Sequence, residues 1–555
     1  MKKIFTIVLA LIAGITALIH FSESHCITEQ LTPSPSESQR VLLIPLDSRP
    51  PCTKLVADNG QTADISVIMP PTQYMDFYTQ PGEIASLRSW LLSEAQNAQE
   101  AIISIDQLLY GGLIASRNKA ITEADIDGLI IYLKELHRKK PSLQLYAFTI
   151  LPRMTPPDYI EAYDDRAQLL EWSRLIHICR NEPTDENTEK LRELESSIPP
   201  EHLQSYKEIY NRNYQLNCQL ARLLAEGVIQ KLVLAQDDGE AFSLPNMRLE
   251  EFVNYVNNQS IDSNSLQIIH GADEVALSIL TNIAKKNYIP PKNFKVYVDY
   301  NNPDTPKNFM PYMAINNSQT ADERLVFHGS KQVAAPADAD YILFISCGSR
   351  STMNDRKKTI NRLTQYIADG KPVALVDLSE NFAAQETLFP LMLKENFPMN
   401  RLVAYAGWNT ASNSIGTAIA QTEIYLTALS AKSNKDSAVY YNLHNLNNRF
   451  FEDYYYLKDI IDLVNISLKK KGYTNVYDLD LKHNYIWSDD MLKKSLQQRL
   501  YQYKYSTSCN TPVFIPEANA SFSVTDISLE AFFPWPRTFE IYLNTSLKIT
   551  KHKTQ

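Results

Sequence analysis

Residues 341–378 decide the fold class. The stretch opens with the apolar run YILFISCG (341–348), continues with an amphipathic segment (353–369) and closes with a second apolar run, PVALVDL (372–378). Runs that are apolar throughout, instead of alternating with polar residues, are typical of strands buried on both faces of a parallel sheet. The intervening segment has the spacing of apolar residues expected of a helix that covers such a sheet. The stretch therefore predicts a strand–helix–strand unit.

The same unit recurs along the chain from residue 41 onward. Eight further apolar runs alternate with amphipathic segments. They are VLLIPLD (41–47), DISVIMP (64–70), AIISID (101–106), LYAFTILPR (145–153), KLVLAQDD (231–238), QIIHGADE (267–274), KVYVDY (295–300) and RLVAYAGWN (401–409). The pattern predicts an α/β fold with a mostly parallel sheet, either barrel-like, as a (β/α) barrel with insertions, or built as two doubly wound domains. Both architectures bind ligands at the carboxyl ends of the strands.

The N-terminal segment predicts export. Residues 1–26 have the order of a secretory signal, in which Lys2 and Lys3 precede an apolar run, and an uncleaved membrane anchor is the alternative. Residues 27–40 predict a flexible polar tether. We therefore expect the folded part to be secreted, periplasmic or at the cell surface.

Two further changes in composition divide the rest of the chain. Residues 41–434 form the α/β region, and a long, charged, mostly helical insertion interrupts it at 158–230. Residues 435–555 are rich in tyrosine and predict a smaller C-terminal α+β module, which ends in the strand-like FFPWPRTFEIYL (532–543).

The composition argues against several classes of protein. Among 555 residues, Lys and Arg number 54 and Asp and Glu number 63, which gives a formal charge of −9. With no cationic field to draw in phosphate, we expect no nucleic-acid partner. The chain has no CxxC, HxH, HExxH, GxSxG, GxGxxG or GxxxxGK[ST] motif. We therefore expect no zinc site and no cofactor, while a divalent cation bound by carboxylates stays open.

Glycine is scarce, at 15 of 555 residues, and seven glycines fall at or just past the predicted strand ends. They are Gly111, Gly112, Gly239, Gly271, Gly348, Gly407 and Gly416. The same strand ends carry Asp47, Asp106, Asp237, Asp238, Asp273, Glu274, Asp299 and the pair Trp408-Asn409. An acidic rim with glycines and neutral polar neighbours suits a hydroxyl-rich ligand. The sequence thus predicts a carbohydrate cleft at this edge.

Asp237 and Asp238, followed by Gly239, are the candidate catalytic residues. Two adjacent carboxylates at a strand end can take unequal environments, so that one is protonated and the other ionised. Hydrolysis of a glycosidic bond by acid–base catalysis requires that difference. An ordinary turn with a helix cap is the structural alternative.

Candidate substrate-binding residues lie in the neighbouring loops. Trp408 offers a flat face for a sugar ring, and the amides of Asn409 and Asn413 can bind hydroxyl groups, while core packing and helix capping are the alternatives. The remaining candidates are Asp47, Arg49, Asp106, Tyr110, Arg117 and Asp273. For Arg153 the sequence favours a structural ion pair, and for His270 a packing role.

Six segments together resemble a bacterial family described only as a domain of unknown function. They are DSRP (47–50), SIDQLLYGGLIASR (104–117), GADE (271–274), YAGWNTASNSIGTA (405–418), RFFEDY (449–454) and FPWPRTFEIY (533–542). The resemblance spans nearly the whole chain after the first 40 residues and implies a single unit, but it implies no activity. After the run that ends at residue 378 the family leads us to expect an Asn-Gly turn, and this chain has Ser379-Glu380-Asn381 instead.

The segment LAQDDG (234–239) is similar to the secreted hexosaminidases that use two consecutive aspartates at the end of a barrel strand. The similarity extends only loosely to the Trp-Asn of YAGWNT. It implies that Asp237 orients the substrate's acetamido group, which attacks the anomeric carbon, while Asp238 protonates the leaving oxygen.

The sequence therefore predicts a secreted or membrane-tethered glycoside hydrolase, with an N-acetylhexosaminide among its candidate substrates. Two alternatives stay open. One is a non-catalytic protein that binds a carbohydrate or a cell-wall fragment, and the other is a carboxylate-dependent metal hydrolase.

Overall fold

The computed structural model describes residues 27–31, 39–118, 121–259, 261–262, 264–287, 292–349, 351–431 and 434–553. The expected signal or anchor, residues 1–26, lies outside these described residues. Among the helices that are described, none combines the length and the apolar character needed to cross a membrane.

Fifteen strands in the described residues form three sheets. The strands are β1 (Ile27–Gln30), β2 (Gln39–Ile44), β3 (Ile65–Ile68), β4 (Glu100–Ser104), β5 (Gln144–Leu151), β6 (Lys231–Gln236), β7 (Leu266–His270), β8 (Lys295–Tyr300), β9 (Lys331–Gln332), β10 (Tyr341–Cys347), β11 (Val373–Leu378), β12 (Ala404–Ala406), β13 (Val513–Ile515), β14 (Ala520–Phe532) and β15 (Tyr542–Lys553).

The helices connect these strands. They are α1 (Lys54–Thr62), α2 (Ile84–Glu94), α3 (Ile105–Leu109), α4 (Leu113–Asn118), α5 (Glu123–Lys139), α6 (Tyr163–Asn181), α7 (Asp185–Ser197), α8 (Pro200–Ala225), α9 (Leu244–Asn257), α10 (Val275–Asn287), α11 (Asn317–Phe327), α12 (Met353–Ala368), α13 (Phe389–Lys394), α14 (Ala411–Ser430), α15 (Lys435–Arg449), α16 (Ile461–Lys470), α17 (Tyr485–Lys504) and α18 (Thr507–Asn510). A π-helical segment, Phe450–Ile460, joins α15 to α16.

Two of the three sheets are parallel. One has six strands in the order β3-β2-β4-β5-β6-β7, and the other has five in the order β12-β11-β10-β8-β9. All ten apolar runs identified in the sequence are strands of these two sheets, so the prediction of a mostly parallel α/β fold is confirmed. Both sheets are open in the described structure. The predicted parallel strands therefore form two separate open sheets instead of one closed barrel.

Helices α10 and α14 explain why the chain builds two sheets. Nearly every residue of both helices is buried. Helix α10 contacts β4 and β5 of the six-stranded sheet, α14 contacts β10, β11 and β12 of the five-stranded sheet, and the two helices pack against each other. A barrel would leave one face of each helix in water, whereas these helices are covered on nearly all sides, including polar residues such as Gln421 and Glu423 of α14. The pair therefore fills the space between the two sheets.

The third sheet is antiparallel, in the order β1-β15-β14-β13. Residues 27–30, expected to be part of a flexible tether, form β1 and pair with β15, with Ile27 opposite Lys553. The tether prediction is wrong for these residues because the outer edge of β15 offers unpaired backbone groups to a short strand. Residues 32–38 of the predicted tether lie outside the described residues.

The stretch 532–543, expected to be a strand, is mostly the connection between β14 and β15. Pro534 and Pro536 lack the backbone N–H that a strand ladder requires, so the aromatic content of the stretch is misleading. This connection, residues 533–541, returns toward the carboxyl ends of the parallel strands.

Candidate functional site

A small pocket lies where loops from both parallel sheets meet. Asp237, Asp238 and Gly239, which follow β6, line one side of it. The loop after β8 contributes Tyr312 and Met313, and the start of α14 contributes Thr410, Ser412 and Asn413. Loops that are far apart in sequence thus share one hollow, as expected for the carboxyl ends of parallel strands.

Asp237 is held in place by an arginine. The Arg117 Nη2 atom, in the last turn of α4, donates to Asp237 Oδ2. Burial alone would raise the pKa of Asp237, but the charges of Arg117 and Arg153 and the hydrogen bond from Arg117 lower it below its ordinary value. Asp237 is therefore ionised at neutral pH.

Asp238 has a different environment although it is the next residue. Among the described residues, no hydrogen bond reaches its carboxylate, which faces the pocket. Burial and the adjacent charge of Asp237 raise the pKa of Asp238 to about 7. The pair thus combines an ionised carboxylate with one that carries a proton for part of the time at neutral pH.

A second group of charged residues adjoins the pocket and centres on Arg49. Its Nη2 atom donates to Asp47 Oδ2 at 2.6 Å and to Asp273 Oδ1 at 2.7 Å. The other oxygen of Asp273 accepts from Asn409 Nδ2 at 2.9 Å and from Asn413 Nδ2 at 3.4 Å. Asp273 therefore ties the loop after β7 of one sheet to the loop after β12 of the other.

The connection between β14 and β15 completes this Arg49 group. Glu540 Oε1 lies 3.6 Å from Arg49 Nε, and Glu540 also pairs with Arg537. The Trp535 indole donates to Ser48 Oγ at 2.9 Å, and its ring lies 5.5 Å from Arg49 Cζ. Sequence reasoning did not select these residues. The signal that could have found them is the segment FPWPRTFEIY, which carried part of the family resemblance.

The comparison with protein families agrees with that resemblance. Residues 41–544 match a single family, from the middle of β2 to the third residue of β15. The chain belongs to DUF4127, described as a protein of unknown function. No curated protein matches the chain. The region matched by DUF4127 contains every residue of the pocket and of the Arg49 group.

Asp76 is another DUF4127 residue that sequence reasoning missed. It lies in the loop after β3, where its Oδ1 accepts from the Ser48 backbone N–H at 2.9 Å. Its Oδ2 is buried and has no hydrogen-bond partner among the residues that the structure describes. Burial and the charge of Asp47 raise the pKa of Asp76 to about 8. Asp76 has no glycine beside it in the sequence, and no apolar run ends at it. The two signals that selected the other candidates are therefore absent there.

Three predicted site residues have their side chains turned away from the pocket. Trp408 is buried in the core, where its indole donates to Thr417 Oγ1 at 3.2 Å. Tyr110 is buried in the core beside the six-stranded sheet and borders a different cavity of about 490 Å³. Asp106 accepts from the Ile150 backbone N–H at 2.8 Å, and it is fully enclosed. These residues support the strand ends and do not face the pocket.

Two expectations about neighbouring residues have clear outcomes. His270 lines the pocket, and its Nδ1 lies 2.8 Å from Glu323 Oε2. The expected ion pair of Arg153 is absent from the part of the chain that the structure describes, because Arg117 occupies Asp237. Within that same part, no cluster of three or more His, Cys, Asp or Glu side chains is arranged to hold a metal ion.

Proposed function

We propose that this protein is a glycoside hydrolase in which Asp238 is the acid/base and Asp237 is the anionic stabilising group. The observation that carries the proposal is the unequal treatment of the two carboxylates. One is fixed and ionised by Arg117, while the other faces the pocket without a hydrogen bond from the described residues and has its pKa raised to about 7. General acids of glycosidases need a raised pKa beside a carboxylate that stays ionised.

The favoured reaction uses the substrate's own acetamido group, by similarity to the double-aspartate hexosaminidases. Asp238 gives its proton to the glycosidic oxygen while the bond from that oxygen to the anomeric carbon breaks. The acetamido oxygen forms the new bond to the anomeric carbon, and Asp237 accepts the hydrogen bond of the acetamido N–H. Water then attacks the anomeric carbon, the acetamido oxygen leaves, and Asp238 takes the proton from the water.

The rest of the pocket supports a small hydroxyl-rich ligand. Thr410, Ser412 and Asn413 line the pocket with groups that carry no net charge, and the hydroxyls of Thr410 and Ser412 lie 2.9 Å apart and bond each other. The Asn413 Oδ1 atom is buried and has no hydrogen-bond partner in the described structure, so a sugar hydroxyl can satisfy it.

A second candidate function is carbohydrate binding without turnover. The observation that favours it is the direct pairing of Asp237 with Arg117, which already uses one oxygen of the carboxylate. A carboxylate has about four lone-pair positions, so a sugar hydroxyl can still bind there. In this case Asp237 and Asp238 only hold the ligand. The location outside the cytoplasm, expected from residues 1–26, belongs to both candidates.

Turnover of aryl glycosides, including aryl N-acetylhexosaminides, tests the proposal. We expect wild-type protein to release the aryl group and Asp238→Asn to lose about 10²-fold or more of the rate, the usual contribution of a general acid. Asp338→Asn is the matched control because Asp338 is exposed and far from the pocket in the fold. Sugar binding without turnover by wild type would favour the second candidate, and neither binding nor turnover would exclude both.

A further inference from the structure

Arg153 is a cation without an ion-pair partner among the described residues. It follows directly after β5, at the edge of the six-stranded sheet that carries the pocket. Its Nε atom is buried and makes no hydrogen bond, and in the described chain no carboxylate lies within ion-pair distance of its guanidinium group. A partly buried guanidinium with no counter-ion is unfavourable, so such a group calls for an explanation.

The acidic groups around Arg153 are already engaged. Asp237 is paired with Arg117, and Asp158 is an exposed residue bonded to Asn118. Asp238 is near enough for its charge to act on Arg153, but it is only partly ionised at neutral pH. Arg117 and Arg153 together carry two positive charges, and Asp237 offsets one of them. A positive charge that Asp238 offsets only in part therefore acts on the two candidate catalytic carboxylates.

The surroundings of Arg153 disfavour its positive charge. Burial and the neighbouring charge of Arg117 lower the pKa of Arg153. A ligand anion that pairs with the guanidinium would raise the pKa of Arg153 again, because its negative charge offsets the effects of burial and of the Arg117 charge. The planar guanidinium fits a carboxylate through two parallel hydrogen bonds.

We propose that the sugar bound at this site carries a carboxylate, and that Arg153 recognises it. This inference rests on the proposed sugar pocket and names its substrate class. Arg153 is a specificity-determining residue in this proposal, and it takes no part in the proton transfers. The carboxylate can belong to the ring itself, as in a hexuronic acid, or to a substituent, as in N-acetylmuramic acid.

Binding of matched sugars tests the inference directly. The probes are glucuronic acid against glucose, and N-acetylmuramic acid against N-acetylglucosamine, measured by isothermal titration calorimetry. For wild-type protein we expect at least one acidic sugar to bind about 10- to 100-fold more tightly than its neutral counterpart, the range for a hydrogen bond to a charged group. The pair that shows the preference identifies the source of the carboxylate. The preference should weaken as salt is added.

Three variants separate recognition from structure. Arg153→Gln should remove the preference for the acidic sugar and leave binding of the neutral sugar within about 3-fold of wild type, while Arg153→Lys should keep part of it because the charge remains. Arg192→Gln is the control, since Arg192 is exposed on α7 and pairs only with Glu189. It should bind both sugars as wild type does. If Arg153→Gln does not fold, the inference is tested by the binding of acidic and neutral sugars to wild-type protein and to Arg153→Lys.

The outcomes distinguish this inference from the proposed function. Equal binding of acidic and neutral sugars by wild type, or an unchanged preference in a folded Arg153→Gln, overturns the inference. Turnover of neutral aryl glycosides without any preference for acidic ones keeps the hydrolase and overturns the role of Arg153. A preference for the acidic sugar without turnover keeps the inference and removes the hydrolase.

Discussion

The carboxyl edges of the two parallel sheets carry similar carboxylates with opposite surroundings. Asp377, near the end of β11, is fully buried and accepts from the backbone N–H groups of Leu388 and Phe389 at distances of 2.9 to 3.3 Å. The Tyr405 hydroxyl donates to it at 3.3 Å. Asp238, just past β6, accepts no hydrogen bond from the described residues and faces a pocket.

Burial raises the pKa of both groups, to about 6 for Asp377 and, together with the charge of Asp237, to about 7 for Asp238. A raised pKa therefore does not distinguish a reactive carboxylate from a structural one. The count of hydrogen bonds does, because the protein satisfies Asp377 and leaves Asp238 free to bind a ligand.

Replacing each of these two aspartates by asparagine should give the largest effects. One variant should lose turnover and the other should lose stability. Asp238→Asn should lose about 10²- to 10⁴-fold of the turnover rate, because the amide has no proton to give, while the free energy of unfolding stays near that of wild type. Asp377→Asn should keep the wild-type turnover rate. Its free energy of unfolding should fall by about 1–3 kcal/mol, because the new amide NH₂ group can face the backbone N–H groups of Leu388 and Phe389, which donate to the carboxylate in the wild type.

Enzyme assays and urea denaturation of both variants measure these quantities. The comparison fails if the two variants lose activity and stability in the same proportion.

Replacing a glycine by alanine at the edge of each sheet should give the next largest effect. We expect this replacement to change stability alone. A Cβ at Gly348, in the five-stranded sheet's edge, would lie 1.6 Å from the Glu386 carbonyl oxygen, so Gly348→Ala must displace backbone. A Cβ at Gly239 would first meet the Gln236 side-chain amide at 3.1 Å, which can rotate away. We expect Gly348→Ala to lose about 1–3 kcal/mol or more, as overpacked cores do, and Gly239→Ala to lose far less. Equal midpoints in thermal denaturation would contradict this.

The pH dependence should separate the edges as well. Turnover needs the protonated form of Asp238, so the rate should fall as the pH rises through about 7. The raised pKa of Asp377 contributes stability that is complete below about pH 4, the ordinary range for aspartate, and is lost as the pH rises through about 6.

Asp377→Asn should therefore remove the change in stability between about pH 4 and 6 and leave the pH profile of turnover where it was. Denaturation and rate measurements from pH 4 to 9 check both parts. A shift of the alkaline limb in Asp377→Asn would mean that the two edges are coupled.

The smallest effect concerns the loop that joins the edges. Asn409 has a φ of 44° and donates to Asp273, so it bridges the five-stranded sheet to the six-stranded one. Asn409→Gly and Asn409→Ala both lose that hydrogen bond, but only alanine adds the penalty of a left-handed backbone. Asn409→Ala should therefore be less stable than Asn409→Gly by about 1 kcal/mol, measured by urea denaturation. Equal stabilities would show that this loop relaxes to another conformation.

The parallel sheets could be predicted because their signal is local. Each buried strand is a short apolar run followed by a polar residue, and YILFISCG and PVALVDL became β10 and β11 with small shifts at their ends. Strand β1 has no such signal, since three of the four residues of ITEQ are polar and its partner lies more than 500 residues away. Long-range pairing of a short edge strand leaves no periodicity to read.

The site could be predicted only as far as residue type and strand-end position allow. Those two criteria selected Asp237, Asp238 and Asp273, which the structure brings to one edge. They could not tell which way a side chain turns, so Trp408 and Tyr110 were selected although both lie in the core. Tertiary packing decides that direction. Asp76 and Glu540 lie in loops without the selected pattern, and only the fold brings them to Arg49 and its neighbours.

The connection between β14 and β15 has a consequence for synthesis of the chain. Glu540 and Trp535 reach Arg49, which lies close to 500 residues earlier, and Glu540 also pairs with Arg537. Because a ribosome releases the chain from its N-terminal end, the six-stranded sheet can form while this connection is still inside the ribosome. The surroundings of Arg49 then stay incomplete until Trp535 and Glu540 have been added. A chain that stops before residue 535 would leave that guanidinium short of the Glu540 carboxylate, so the Arg49 group can form only after this connection has been made.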